Sequence, residues 1–179
     1  RLNLLKNSLR NLLKNNDQNK NKKFIEKYFQ NKKGIYVDVG SYHPIRISNT
    51  LNLYKNGWTG INIDISKKTI DLFKVARPND VNLNVAAGSK NKNGYFFYDK
   101  DISMTSSLNK NFFLKMNNKK PKSKKIKIRS LNYILQKFLR KKNINLLDID
   151  AEGNDFSVLK GINLKKFNVE IIMIEGHAY

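Results

Sequence analysis

The sequence contains no cysteine, which excludes disulfide bonds, thiolate metal sites and a cysteine nucleophile. It also lacks any apolar run near the roughly 18 residues that a membrane-spanning helix needs, and no signal-peptide pattern is visible at its start. An absence of cysteine is typical of proteins in a reducing compartment, so we predict a cytoplasmic location.

Acidic residues are scarce, with 14 Asp and Glu against 35 Lys and Arg, for a net charge of +21. An excess of this size would attract polyanions such as nucleic acid, or an anionic membrane surface. The lysines are interspersed with asparagine along the whole chain, for example in residues 19–23 and 90–93. Because both amino acids have A-rich codons, we favour the base composition of the gene as the cause.

With 179 residues, 40% of them hydrophobic, the chain is long enough for one domain with a buried core. Leucines at helical spacing predict an amphipathic helix over residues 2–14. A polar linker over 15–23 and a short helix over 24–29 are expected to follow. We therefore predict a helical extension over 1–33 and one domain over 34–179. Since the sequence starts without methionine and its end resembles a strand, we expect a piece of a longer protein.

Short apolar runs alternate with helical segments from Gly34 onward. The predicted strands are 35–39, 61–65, 81–86, 144–149 and 169–174. The predicted helices are 49–56, 67–77, 131–141 and 155–160. Gly57 and Gly161 stand where two helices would end. This alternation predicts an α/β, Rossmann-like fold, with a mostly parallel sheet and helices on both of its faces.

The stretch 88–129 interrupts the alternation. Residues 95–98 and 126–128 have the composition of two extra strands, which could pair with each other. Between them we expect a loop that contains 103–107 and the basic run 115–127. A loop of this length inside a compact domain is usually functional or disordered, and for the basic run we favour a solvated loop.

Acidic residues end the first two predicted strands, as Asp38 and Asp64. In open α/β sheets, ligands bind outside the carboxyl ends of the strands. Gly40 would let the backbone turn sharply beside a ligand, Asp38 could orient an ammonium group, and Asp64 could accept both hydroxyls of a ribose. The dinucleotide fingerprint needs three glycines, and only Gly40 is present. A cofactor without pyrophosphate, such as S-adenosylmethionine, therefore fits better than NAD.

More acids follow the fourth predicted strand, in Asp148-Ile-Asp150-Ala-Glu152, and His177 follows the fifth. Alternation along an extended strand would place Asp148, Asp150 and Glu152 on one side. Asp150, Glu152 and His177 are candidate catalytic residues, because each could accept a proton from a hydroxyl. These three could also bind a hard metal ion, although we predict no metal site. Glu152 could instead support only the turn before the next helix.

Four segments in this order resemble the FkbM family of methyltransferases, over about residues 34–177. They are Tyr36-Val-Asp38-Val-Gly40-Ser-Tyr-His-Pro44 with Ser48-Asn-Thr50, Gly57-Trp-Thr-Gly-Ile-Asn-Ile-Asp64, Leu147-Asp-Ile-Asp150-Ala-Glu152-Gly153-Asn-Asp-Phe-Ser-Val158-Leu159, and Ile174-Glu175. The third is the most diagnostic. The resemblance implies a class I methyltransferase fold, S-adenosylmethionine as methyl donor, and usually O-methylation of a sugar or small metabolite. The glycine-rich loop usual in the family is reduced here to Gly40.

The resemblance also assigns roles to particular residues. It implies that Asp38 and Gly40 hold the methionine part of the donor and Asp64 its ribose, with Asp150 and Glu152 near the reaction centre. The neighbouring positions that complete the predicted cofactor-binding set are Ser41, Ile65, Asn84, Val85 and Ala86.

Two other functions stay open from the sequence. The positive charge would suit an RNA or DNA methyltransferase. Base N-methyltransferases, however, commonly carry an Asn-Pro-Pro-Tyr motif after the fourth strand, where this chain has Asp150-Ala-Glu152-Gly153. The domain could also be a catalytically inactive methyltransferase-like binding domain. The preferred partner is a small-molecule or glycan hydroxyl acceptor.

Overall fold

A computed structural model of the chain describes residues 20–139 and 143–175. The amphipathic helix predicted over 2–14 and the candidate catalytic residue His177 lie outside these ranges. Within them, no helix combines the length and the apolar character that crossing a membrane requires.

Eight strands and six helices are found in the described part of the chain. The strands are β1 (Ile35–Val39), β2 (Thr59–Asp64), β3 (Val81–Asn84), β4 (Ala86–Gly88), β5 (Lys92–Tyr98), β6 (Lys122–Ser130), β7 (Ile144–Ile149) and β8 (Val169–Ile174). The helices are α1 (20–28), α2 (Leu51–Lys55), α3 (Lys67–Ala76), α4 (Lys110–Asn117), α5 (Leu131–Phe138) and α6 (Asp155–Leu159).

The predicted mostly parallel sheet is confirmed. Five strands form it in the order β3-β2-β1-β7-β8, and every neighbouring pair is parallel. Parallel strands are apolar on both faces when helices cover both faces. On one face Val37 and Leu147 pack with Leu131 of α5, and on the other Tyr36 packs with Trp58 and α1. This places the carboxyl ends of β1, β2 and β7 side by side.

The extra strands predicted over 95–98 and 126–128 are confirmed as parts of β5 and β6, which pair in antiparallel register. Residues 95–98 lie opposite 122–125, and 126–128 lie opposite 92–94. With β4 they form a second sheet in the order β4-β6-β5. The strand predicted over 81–86 is therefore wrong in one respect. The observed strand β3 ends at Asn84, and Ala86 belongs to β4 of the second sheet.

The loop predicted over the basic run 115–127 is wrong. Residues up to Asn117 belong to α4, which begins where the Asn109 side chain accepts hydrogen bonds from two backbone N–H groups. Burial of Phe112 and Phe113 stabilises this helix, although Lys110 and Lys115 make its sequence resemble a solvated loop. Residues from Lys122 onward form β6, whose apolar positions are few because lysines occupy its exposed ones.

Three smaller predictions also need correction or qualification. The linker predicted over 15–23 is wrong for residues 20–23, which are helical in α1. Gly57, with φ +82°, does terminate α2, but Gly161 has no positive φ. A Cβ at Gly161 would lie 2.0 Å from the carbonyl oxygen of Gly88, so this glycine serves close packing of α6 against β4. Helix α5 ends at Phe138, within the predicted 131–141.

Candidate functional site

A pocket opens where β1, β2 and β7 end, as expected for a ligand site in an open α/β sheet. Its floor is made by the residues that end these strands or follow them directly. The segment between β5 and α4 forms part of its wall, through Ser103, Met104 and Ser106. The serine-containing segment 103–107 therefore belongs to the site. The sequence pattern assigns no role to this segment.

Gly40 brings two strand ends together at this pocket. Its φ of +83° lies in the region that favours glycine, and a Cβ there would lie 1.8 Å from the carbonyl oxygen of Asp150. The backbone N–H of Asp150 in turn donates to the carbonyl of Val39, at 2.9 Å. Since no side chain separates these two loops, the backbone of Asp150 is held directly beside the end of β1.

Asp38 and Asp148 are register partners on β1 and β7, and both are nearly buried. Asp38 accepts a hydrogen bond from the Thr50 hydroxyl at 2.7 Å, and Asp148 accepts one from the Asn49 amide at 3.0 Å. Burial and then the nearby charge of Asp38 raise the pKa of Asp148 to about 8. Burial likewise raises the pKa of Asp38, so this pair carries less than its full negative charge at neutral pH.

Asp64 is fixed by the backbone at the end of β2. One of its oxygens accepts from the N–H of Ser66 at 2.6 Å and the other from the N–H of Tyr42 at 3.1 Å. Burial raises its pKa to about 6, although these two hydrogen bonds oppose the shift. Each carboxylate oxygen has a further lone pair, so Asp64 can still accept two hydrogen bonds from a ligand.

A tight turn after β7 presents Asp150 and Glu152. Asp155 holds this turn by accepting from the N–H groups of Ala151 and Gly153, at 2.6 and 3.0 Å. Glu152 has a φ of +47°, a left-handed conformation that costs energy in a non-glycine residue and is common at functional sites. Asp150, Ala151 and Glu152 of this turn line the pocket.

Carboxyl groups crowd together at this turn. Burial, a hydrogen bond with Glu175 and the surrounding acids raise the pKa of Asp150 well above its usual range. Asp150, Glu152 and Glu175 each offer an oxygen, and these oxygens lie within 4.8 Å of one another, a spacing that would suit a divalent cation.

Several polar atoms that line the pocket are buried without a hydrogen-bond partner. They are the Oγ atoms of Ser41 and Ser106, Oδ1 of Asn49 and Oδ1 of Asp150. Buried polar atoms in proteins are nearly always paired, and an unpaired one needs an explanation. A polar ligand in the pocket would provide partners for these atoms.

Residues 38–179 match a family model described as the methyltransferase FkbM domain. The chain belongs to the FkbM methyltransferase family. The match covers most of the chain, including every strand of both sheets except the first residues of β1. No curated protein and no solved structure matches the chain. The general function of this FkbM domain is methyl transfer.

Most of the site residues predicted from the sequence meet in the pocket of the FkbM domain. Those that line it are Asp38, Gly40, Ser41, Asp64, Ile65, Val85, Ala86, Asp150 and Glu152. Asn84 does not line it: its exposed side chain donates to the backbone carbonyls of Asp64 and Ile65, and so supports the end of β2.

Two residues that line the pocket of the FkbM domain, and two buried residues near it, are not assigned from the sequence. Asp148 and Asn49 both line the pocket, and the strand alternation that placed Asp148 beside Asp150 was the signal available for the former. Arg77 and Asp80 are buried and do not line the pocket. Arg77 donates to the hydroxyl of Ser48, which does line it, whereas Asp80 accepts from the amide of Asn62, which does not. A lone Arg-Pro-Asn-Asp sequence between a helix and a strand gives no local sign of this role.

Proposed function

We propose that this domain transfers a methyl group from S-adenosylmethionine to a hydroxyl oxygen of a sugar or another small metabolite. One observation carries the proposal: the acids that end β1, β2 and β7 line a single pocket beside Gly40, although separate parts of the chain supply them. The proposed division into a helical extension over 1–33 and a methyltransferase domain over 34–179 stays a prediction, as does the cytoplasmic location.

The charge of the pocket suits a cationic ligand. Six of the 14 acidic residues of the chain line it, in a protein whose net charge is +21. They are Asp38, Asp64, Asp101, Asp148, Asp150 and Glu152. S-adenosylmethionine carries an ammonium group and a sulfonium against one carboxylate. The pocket acids that are ionised near neutral pH, such as Asp64 with its pKa of about 6 and Asp101 with its lowered pKa, would therefore attract it. The same acids would repel the phosphates of RNA or DNA, which favours a neutral hydroxylated acceptor over a nucleic acid.

The residues present fit the methyl donor in kind. Asp64, with its oxygens fixed by two backbone N–H groups, would accept the ribose hydroxyls. Asp38 would hold the ammonium group. Val85 and Ala86 offer an apolar surface for adenine, and the unpaired Ser41 hydroxyl offers a hydrogen bond.

Proton transfer is the task left to the protein. S-adenosylmethionine, when bound, supplies a methyl group on a positively charged sulfur. The attacking hydroxyl must lose its proton, and Asp150 is the candidate acceptor because it projects into the pocket from the turn after β7. Burial, the Glu175 carboxyl hydrogen-bonded to Asp150 and the nearby acids raise the pKa of Asp150, and a higher pKa makes its carboxylate a stronger base.

Calorimetry with S-adenosylhomocysteine tests the donor site directly. Measurable binding to the folded chain is expected, and an absence of heat at high ligand concentration would favour an inactive binding domain.

The acceptor is then sought by following labelled methyl groups from S-adenosylmethionine into a panel of sugars, with single-stranded oligonucleotides in parallel. Label in the oligonucleotides and in none of the sugars would contradict the proposed acceptor class.

Asp64→Ala is expected to weaken the binding of S-adenosylhomocysteine by about 1.5–3 kcal/mol, the value of hydrogen bonds to a charged group. The change also frees the N–H groups of Ser66 and Tyr42, which would lose their acceptor. Isothermal titration calorimetry provides the affinity. Asp71→Ala, an exposed aspartate on α3, is the control that should leave it unchanged. Equal affinities for the Asp64 variant and the natural chain would remove Asp64 from the donor site.

Donor affinity is also expected to fall in mild acid. The pKa of Asp64, raised to about 6 by burial, means that its carboxylate is protonated below pH 6 and then accepts fewer hydrogen bonds from the ribose. If only the ionised form binds, the Kd for S-adenosylhomocysteine should be about tenfold higher at pH 5 than at pH 7. Asp64→Asn should bind more weakly and lose most of this pH dependence. A natural chain whose Kd is flat between pH 5 and 7 would rule out Asp64 as the titrating group.

A further inference from the structure

A buried arginine lies behind the wall of the pocket. Arg77, which directly follows α3, is fully buried, and its guanidinium is 4.9 Å from the centre of the Phe73 ring. It donates to the carbonyl of Pro44 at 3.1 Å and to the hydroxyl of Ser48 at 2.7 Å. These contacts attach the segment between β1 and α2 to the residue that follows α3.

One branch of this network ends at a pocket acid. Nη1 of Arg77 donates to the hydroxyl oxygen of Thr50 at 2.8 Å, and Thr50 lies 2.7 Å from Oδ2 of Asp38. A guanidinium can only donate, and a hydroxyl has one proton. The Thr50 proton is therefore directed at Asp38, which fixes one carboxyl oxygen and leaves the other for the pocket.

A second branch is chemically matched to the first but leads elsewhere. The same Nη1 donates to the Tyr36 hydroxyl at 3.3 Å, and that hydroxyl donates to Oδ2 of Asp80. Asp80 accepts in addition from the Gly60 N–H and the Asn62 amide, at 2.7 and 2.9 Å. Asp38 lines the pocket, whereas Tyr36 and Asp80 do not.

We propose that Arg77 and Thr50 are positioning residues for the methyl donor: through the Thr50 hydroxyl, the buried guanidinium sets the orientation of the Asp38 carboxyl. This inference rests on the proposed function, in which Asp38 holds the ammonium group of the donor. A hydrogen-bonded chain in a low-dielectric interior is stronger than its members in water, so the loss of its middle member is expected to be felt at Asp38.

The two branches allow a matched test. Thr50→Val and Tyr36→Phe each remove one buried hydroxyl that accepts from Arg77, and each preserves most of the side-chain volume. Thr50→Val is expected to raise the Kd for S-adenosylhomocysteine about tenfold or more, as a lost hydrogen bond to a charged group would. Tyr36→Phe should lower the urea midpoint of unfolding and leave the Kd within about twofold of the natural value. Thr50→Ser, which keeps the hydroxyl, should restore the affinity.

Other outcomes contradict the inference in distinguishable ways. If the natural chain binds S-adenosylhomocysteine and Thr50→Val binds it equally well, Thr50 does not position the donor site. If Tyr36→Phe weakens binding as much as Thr50→Val, Arg77 has a structural role only. If the natural chain does not bind at all, the proposed function has failed first. Should Thr50→Val not fold, Thr50→Ala replaces it. In the background of Asp38→Asn, either Thr50 variant should then cause little further loss, and a full additional loss would overturn the proposal.

Discussion

Asp150→Asn should lower the rate of methyl transfer about 100- to 10,000-fold, the usual contribution of a general base. Asparagine has nearly the same shape as aspartate but cannot accept the proton of the attacking hydroxyl. The side chain sits on a turn whose backbone is held by Asp155, so the substitution should leave the pocket in place. Affinity for S-adenosylhomocysteine is therefore expected to stay within about twofold of the natural value.

The same substitution should also make the protein more stable at neutral pH. Burial, the Glu175 carboxyl and the nearby acids raise the pKa of Asp150, so the folded state binds a proton more readily than the unfolded state does. Stability from such a group is present at low pH and is lost as the pH rises through the folded pKa. Removing the charge removes that loss, and the melting temperature should rise at pH 8 but scarcely at pH 4.

These two readouts separate catalysis from folding. Activity is measured as transfer of labelled methyl groups to a hydroxylated acceptor, and stability by thermal unfolding at both pH values. Asp71→Asn on the exposed side of α3 is the control, expected to leave the rate unchanged and to lower stability slightly through the loss of its exposed ion pairs with Lys67 and Lys74. A variant at Asp150 that is stable, binds S-adenosylhomocysteine and keeps its full rate would assign the proton to another acceptor.

The sequence was sufficient for the central sheet because each strand is a short apolar run whose pattern does not depend on distant residues. Ile35–Val39 and Ile144–Ile149 are predicted to the residue. The same local logic locates Asp38, Asp64 and Asp150, since the polar residue that ends a parallel strand must lie at the edge where ligands bind. The position of these acids along the chain therefore predicts their meeting in one pocket.

Features that depend on tertiary contacts were not accessible in this way. The lysines between Lys122 and Lys127 are exposed on β6 and dominate its pattern. The sequence therefore predicts a strand only over 126–128, whereas β6 begins at Lys122 and pairs with β5 from there to Ile128. Asn84 stands at the right strand end, yet its side chain turns to two backbone carbonyls instead of the pocket. Periodicity specifies the face on which a residue lies, but it does not specify its hydrogen-bond partner.

Arg77→Met illustrates how much such a contact can matter. The arginine is fully buried and hydrogen-bonds to Pro44, Ser48, Thr50 and Tyr36. Breaking a buried charged network by removing one member typically costs about 3–5 kcal/mol, because the groups left behind are buried without their partner. Here those groups include the hydroxyls of Thr50 and Tyr36, which donate to Asp38 and Asp80. We expect Arg77→Met to lose about 3–5 kcal/mol of unfolding free energy.

Urea unfolding at pH 7 measures this loss, since the free energy of unfolding extrapolates linearly to water. Arg129→Met is the matched control: that side chain is only partly buried and donates to the carbonyl of Ile128, so its loss should cost about 1 kcal/mol or less. Arg77→Lys should recover only part of the stability, because one ammonium group cannot reach the acceptors that the planar fork of arginine spans. Equal unfolding midpoints for Arg77→Met and Arg129→Met would show that the network around Arg77 is dispensable for stability.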